Sequence, residues 1–167
     1  MLAPQPLPGG QANALPIISA VTNPDPSNPS LQPAQGQQDL HELLRNASPQ
    51  LSQQVFVFCS LTEEGPLGSL EPICTFVEEE GITAIVPRER AAAHGLSVQP
   101  AWALITLAVH SSLQAVGFLA HVTAALAEVG IAVNVVSAYH HDHLFVPAHR
   151  SAEAMSVLQS GIPTAAA

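Results

Sequence analysis

The hydrophobic positions in the C-terminal half of the chain follow two different periods. Residues 102–110 and 131–139 are short runs rich in aliphatic and β-branched side chains, which is typical of strands. Between them, residues 113–129 carry an apolar stripe with the 3.6-residue period of an amphipathic helix. The stripe consists of Ala115, Phe118, Leu119, Val122, Leu126 and Val129. A strand at 143–147 and a last helix, SAEAMSVLQ, complete the order strand, helix, strand, strand, helix.

The N-terminal half has a shorter version of this pattern. The segment DLHELLRNASPQL places three leucines on one face of a helix that we expect to begin after Asp39 and to end before Pro49. The run at 54–61 predicts a buried strand, and 73–87 predicts two strands joined by a turn at Glu80-Gly81. The segment RERAAAHG then predicts a short helix that ends at its glycine.

The two halves repeat each other in element order. GITAIVP-RERAAAHGL and HDHLFVP-AHRSAEAMSVL share a strand, a Val-Pro pair, an arginine and a short alanine-rich helix. The repeat predicts an α+β fold of two ferredoxin-like βαββαβ-type halves packed together, at residues 37–98 and 99–162. In the second half the last strand is either missing or supplied by the other half. The apolar strand at 102–109 must be covered on both faces, which indicates half-to-half packing or a homodimer.

Composition narrows the range of partners. The chain has 167 residues, of which 47% are hydrophobic and 10% are charged, so it can form a core. The chain has four basic residues, all of them arginines, and 13 acidic residues, which gives a net charge of −9. A surface that neutralises phosphates needs clustered cations. We therefore expect neither nucleic acid nor a membrane as a partner.

The first 36 residues differ from the rest of the chain. They hold eight of the 15 prolines, with Gln, Asn, Gly and Ser among most of the others, and they contain no Lys or Arg. This composition predicts a disordered, extended tail rather than a secretory signal. The two cysteines, Cys59 and Cys74, are interpreted as small buried hydrophobic residues in a reducing compartment. A cytoplasmic location is the expectation.

Three segments together resemble a known family. VFVFCSL, GITAIVPRERAAAHGL and WALITLAVHSSLQAVGFLAHVTAALAEVGIAVNVVSAYHHDHLFVP are similar to small stand-alone tandem ACT-like proteins. The second half is of the type found in cytosolic arginine sensors of the TOR pathway and in aspartate kinase regulatory regions. The resemblance covers about residues 39–160. It implies a small-molecule sensing module without naming the ligand, for which an amino acid is our expectation from the anion site described next.

The segment HSSLQAVG is the first candidate site, because there a strand runs into a loop and then a helix. Free amide hydrogens and the positive end of a helix favour an anion. Ser111 and Ser112 add hydroxyl groups, or they merely cap the helix. Gly117 allows a ligand or another backbone to come close. ACT domains bind effectors at this junction, so the resemblance implies ligand-binding roles for a set of residues in and next to the loop: His110, Ser111, Ser112, Leu113, Val116 and Gly117.

The segment YHHDH is the second candidate. By resemblance to the arginine sensors, an acidic residue in this hairpin takes the amino group of the ligand, which assigns that role to Asp142. Strand alternation places His141 and His143 on one face, and with His110 they form an alternative Zn²⁺ or Ni²⁺ site. A third interpretation is a polar hairpin turn in which Asp142 bonds its own backbone.

Motifs of enzymes are absent from the sequence, which contains no GxSxG, P-loop, GxGxxG or HExxH. We therefore expect a non-catalytic regulatory protein without a cofactor. Two alternatives remain, an interaction module that binds no ligand and a histidine-based metal-binding protein.

Overall fold

The computed structural model of the chain describes residues 36–62 and 65–160. The predicted disordered tail therefore lies outside the described residues, apart from Gly36. Within the described part, the architecture is the predicted α+β type, with helices packed on one face of a single antiparallel sheet.

The sheet has six strands in the order β2-β3-β1-β4-β6-β5. Every pairing between neighbouring strands is antiparallel. The strands are β1 (Pro49–Leu61), β2 (Cys74–Glu78), β3 (Gly81–Pro87), β4 (Trp102–Leu107), β5 (Asn134–Ser137) and β6 (Asp142–Pro147). The predicted turn between β2 and β3 and the predicted strand at 143–147 are thus confirmed.

The two halves share this sheet, because each first strand pairs with the other. β1 lies beside β4 in the place of the fourth strand of the second ferredoxin-like unit, and β4 does the same for the first unit. This arrangement decides between the two alternatives for the missing strand, since the other half supplies it. The pairing is interrupted between Leu51 and Val55, where β1 forms a bulge.

In the part of the chain that the structure describes, five α-helices accompany the strands. They are α1 (Leu40–Arg45), α2 (Leu67–Leu70), α3 (Arg88–Ala93), α4 (Phe118–Glu128) and α5 (Ser151–Gln159), the last preceded by a 3₁₀ turn, Ala148–Arg150. As predicted, the Asp39 side chain caps α1 by accepting a hydrogen bond from the Glu42 amide at 3.0 Å.

Helix α4 begins five residues later than predicted. The sequence pattern placed its start at residue 113 after a serine cap, whereas Gly117 is the actual N-cap. Gly117 has φ +89°, in the left-handed region, so the chain changes direction there and residues 113–116 cannot continue the helix. The strand at 54–61 was also predicted too short, because its first residues are polar and pair with the distant β4.

The core on the helical side of the sheet has two parts. Helices α1, α4 and α5 pack with β4 and β6 around buried Leu43, Ile105 and Leu126. Helices α2 and α3 pack with β1 and β3 around Leu70 and Val86. Each half therefore has its own apolar cluster on one continuous sheet.

The opposite face of the sheet carries most of the aromatic side chains. Phe56, Ile85 and Phe145 are buried there, and the rings of Phe56 and Phe145 meet edge to face with centroids 6.0 Å apart. Strand alternation places Phe58, Phe76 and Trp102 on the same face. Phe58 is 38% exposed and Phe76 is 68% exposed, so no helix of the described chain covers their rings.

Candidate functional site

The loop between β4 and α4 is fixed at its first residues by the segment that precedes α1. The Gln37 amide donates to the His110 carbonyl at 2.8 Å, and the Ser112 amide donates to the Gln37 carbonyl at 3.0 Å. Gly36 lies so close that a Cβ there would be 2.5 Å from the Ser112 nitrogen. The sequence analysis did not find this contact, because no local pattern marks a two-residue bridge between distant segments.

Below the loop, Asp142 is buried and accepts two hydroxyl hydrogen bonds. Ser111 donates to one carboxylate oxygen at 2.6 Å, and Ser137, at the end of β5, donates to the other at 2.5 Å. Asp142 is only 2% exposed. The sequence analysis placed this carboxylate opposite the helix start as the partner of a ligand's amino group. In the structure it lies under the loop and bonds to the protein itself.

The start of α4 has no side-chain cap. Gly117 contributes no hydroxyl or carboxylate to the first amides of the helix, and the first turn contains no acidic residue. Ser112, the predicted cap, instead accepts a hydrogen bond from the Gln114 amide at 3.2 Å. The His121 Nδ1 donates to the Gly117 carbonyl at 2.8 Å, which holds the glycine against the first helical turn. An anion would find favourable electrostatics at this helix end.

Two apolar side chains of the loop are exposed beside that helix end. Leu113 is 64% exposed and Val116 is 84% exposed. The predicted residues of the loop are thus brought to one region, but not to one surface. His110 is half-buried, Ser111 faces inward, and Leu113 and Val116 face outward.

The histidines of the second hairpin contact different parts of the protein. The ring of His140 lies against that of His110, with centroids 5.1 Å apart. His141 Nδ1 is 3.3 Å from the Val109 carbonyl, while His143 Nδ1 is 3.0 Å from the Thr106 hydroxyl.

These positions bear on the alternative metal site. Among residues 36–62 and 65–160, no three His, Cys, Asp or Glu side chains lie where they could hold a metal ion. The geometry therefore gives no support to a metal site built from His110, His141 and His143.

The pKa values of His143 and Cys59 are shifted from their ordinary values. Burial, with a further contribution from the nearby His141, lowers the pKa of His143, and the carboxylate of Asp142 opposes this effect. Burial raises the pKa of the Cys59 thiol, although Cys59 and Cys74 are both half-buried and not fully buried as predicted.

Comparison with known proteins identifies the family. Models of the ACT domain match residues 35–102 and residues 97–160, one after the other along the chain. The chain is a tandem ACT domain protein. Membership of this family indicates a regulatory, ligand-binding role. The comparison with curated proteins found no match.

Several solved structures are similar to this chain. This ACT protein is 44% identical to a Vibrio cholerae protein of unknown function, described as a possible transport protein, with a TM-score of 0.64 over 71% of this chain and 92% of that one. An Agrobacterium tumefaciens protein is 16% identical, with a TM-score of 0.50 over 67% and 86% of the two chains. The regulatory subunit of aspartate kinase from Thermus flavus is 10% identical, with a TM-score of 0.49 over 67% and 95%.

Within the part of the ACT protein that the structure describes, none of the helices combines the length and the apolar character that a bilayer crossing requires.

Proposed function

We propose that this ACT protein is a non-catalytic cytoplasmic regulator that binds an amino acid at the loop between β4 and α4. The observation that carries the proposal is the uncapped start of α4 behind the left-handed Gly117. The unpaired amide hydrogens of a first helical turn bind a carboxylate without any cationic side chain. An α-amino acid supplies such a carboxylate.

The exposed loop residues provide the second part of the site. Leu113 and Val116 stand in solvent directly before the helix start, where the apolar part of an amino acid would cover them. His110 and the Ser112 hydroxyl lie at the inner end of the same loop and offer polar contacts. Gly117 supplies the left-handed backbone at the start of the helix, which a residue with a side chain would adopt only with strain.

Ser111 and Asp142 act as positioning residues in this proposal. Their hydrogen bond ties the loop to β6, and the contact of Gln37 with residues 110 and 112 holds the loop from the other side. A site that is held in place before the ligand arrives loses less conformational entropy on binding.

Regulation would follow from a difference in affinity between two states. A ligand that prefers a homodimer of this chain, or a complex with a target protein, shifts the population toward that state by no more than its differential affinity. The outward position of Leu113 and Val116 allows a second chain to contact the loop and the ligand together.

A thermal-shift screen of the full chain against the twenty amino acids tests the proposal. An amino acid present at 100 times its dissociation constant should stabilise the fold by about 2.7 kcal/mol. The hit would then be titrated by calorimetry. If none of the twenty raises the melting temperature at millimolar concentration, the amino-acid proposal fails.

Two matched variants localise the binding. Val116→Ser removes an apolar contact from the loop, and we expect it to weaken binding about fivefold, in line with the transfer free energy of a partly covered valine. Val77→Ser, on the edge strand β2, is the control, because Val77 is 79% exposed and Val116 is 84% exposed. Equal affinities of the two variants would place the ligand elsewhere.

A second candidate function is an interaction module that binds no ligand. The specific observation in its favour is the aromatic face of the sheet, where Phe58 and Phe76 remain exposed. Sedimentation velocity over a range of concentrations, with and without amino acids, separates the two functions. Self-association that no amino acid changes would favour the interaction module. The same screen with divalent metals and with EDTA tests the metal alternative.

A further inference from the structure

A cleft with a volume of about 390 Å³ lies in the N-terminal half, on residues other than those of the loop between β4 and α4. It is formed by β1, by the start of α3 and by the segment that follows α3. Val55, Ala92 and Val98 give it apolar walls. The volume is at the lower end of the range for small-molecule sites.

The bulge in β1 provides the polar part of this cleft. β1 pairs with β4 up to Leu51 and again from Val55, so the residues between them lack ladder partners on β4. The Gln54 amide donates to the Ser52 hydroxyl at 3.1 Å, which stabilises the bulge locally. Gln53 and Gln54 line the cleft. Bulges of this kind redirect side chains and occur often beside binding sites.

Arg88 adds a positive charge to the cleft. Three of the four arginines in the chain are paired with a carboxylate: Arg45 with Glu42 at 2.8 Å, Arg90 with Glu71 at 2.8 Å and Arg150 with Glu153 at 2.7 Å. Arg88 has no such partner among residues 36–62 and 65–160. Arg88 lines the cleft, and the described residues offer it no carboxylate partner even though the chain has a net charge of −9.

The internal repeat shows that Arg88 has no arginine counterpart in the second half. With the two Val-Pro pairs aligned, Arg88 corresponds to Ala148, and Arg150 corresponds to Arg90. Arg150 donates to carbonyls at the end of α4, and Arg90 donates to Glu71, the residue that follows α2. Within residues 36–62 and 65–160, no such partner occupies the guanidinium of Arg88.

We propose that this cleft binds a short-chain aliphatic carboxylate. The planar guanidinium of Arg88 forms two parallel hydrogen bonds with the carboxylate, as arginine does with planar anions. The amides of Gln53 and Gln54 donate further hydrogen bonds. Val55 and Val98 contact the aliphatic chain. This site is independent of the function proposed above, since it uses other residues.

Titration of the ¹⁵N-labelled full chain with sodium isovalerate, followed by NMR, tests the proposal. Saturable shifts of the amides of Val55, Arg88 and Val98 are expected in the millimolar range, with sodium chloride at equal ionic strength as the blank. The neutral analogue 3-methylbutanol should bind at least tenfold more weakly, because it lacks the carboxylate. L-valine is the third probe. Glu89 also lines the cleft, so tighter binding of L-valine than of isovalerate would indicate that the Glu89 carboxylate binds the ammonium group of the amino acid.

Two arginine variants make the test specific. Arg88→Gln should weaken isovalerate binding about tenfold, whereas Arg90→Gln, with the same change of charge two residues away, should change it less than twofold. Equal loss in both variants, or no saturable shift in the wild-type protein, would overturn the proposal. Val116→Ser should leave isovalerate binding unchanged, so failure of this site and failure of the amino-acid site give different results.

Discussion

The buried carboxylate of Asp142 gives the sharpest test of how the loop is held. Its two oxygens accept hydrogen bonds from Ser111 and Ser137 at 2.6 and 2.5 Å, and solvent does not reach it. A hydrogen bond to a charged group contributes about 1.5–3 kcal/mol when both partners are buried. The free energy of unfolding of a domain is about 5–15 kcal/mol. This small network is therefore a substantial part of the stability.

A double-mutant cycle separates the contribution of the Ser111 bond. We expect Ser111→Ala to lower the free energy of unfolding by about 1.5–3 kcal/mol in the wild-type background. In the Asp142→Asn background, which keeps the size of the side chain but removes the charge, the same change should cost less than about 1 kcal/mol. The coupling energy should thus be at least about 0.5 kcal/mol.

Urea denaturation followed by circular dichroism measures these free energies, with equal m-values as the check that all variants unfold from the same state. Ser60→Ala, at an exposed position of β1, is the control and should change stability by less than about 0.5 kcal/mol. If Ser111→Ala costs the same in both backgrounds, the hydrogen bond does not stabilise the loop and the positioning role of Asp142 is refuted.

Two further predictions concern the loop and its surroundings. Gly36→Ala should detach the N-terminal segment from the loop, because its Cβ would collide with the Ser112 backbone, and hydrogen exchange of the Ser112 amide should become faster. Gly68→Ala, where a Cβ meets nothing within 4 Å, should leave that exchange unchanged. Because the pKa of His143 is lowered in the folded state, stability should fall as the pH drops below about 6.5, where the unfolded chain binds a proton first. His143→Gln should make that fall shallower in thermal melts between pH 7.5 and 5, and a wild-type-like fall would contradict the assigned cause.

The sequence predicted the repeated elements well, because strong local patterns mark them. The Val-Pro pairs correctly placed the ends of β3 and β6 and the helices that follow. Helix α4 was predicted too long, since Leu113 and Val116 lie outside the helix and are exposed. Hydrophobic periodicity cannot distinguish a buried position from an exposed apolar loop residue. The left-handed backbone of Gly117 is a property of the chain path, and it was not predicted.

Ligand binding at the loop between β4 and α4 stays a prediction, but the structure changes the contacts expected for two of its residues. The sequence analysis predicted that Ser111 and Asp142 lie in the same region and that both contact a ligand. In the structure, Ser111 donates a hydrogen bond to Asp142. Whether a carboxylate points toward solvent or toward a serine depends on packing between β4 and β6, which are far apart in sequence. The contact of Gln37 with the loop is of the same kind, because it joins residues more than seventy positions apart.

The pairing of β1 with β4 has a consequence for how the chain acquires its structure. Either half by itself would present the long backbone edge of its first strand to solvent, and such edges invite pairing with other chains. The halves are therefore expected to fold together in one cooperative step, and a fragment that ends near residue 98 should aggregate rather than persist as a monomer. Synthesis on the ribosome exposes this edge until β4 has emerged, so the first half depends on the second for its solubility.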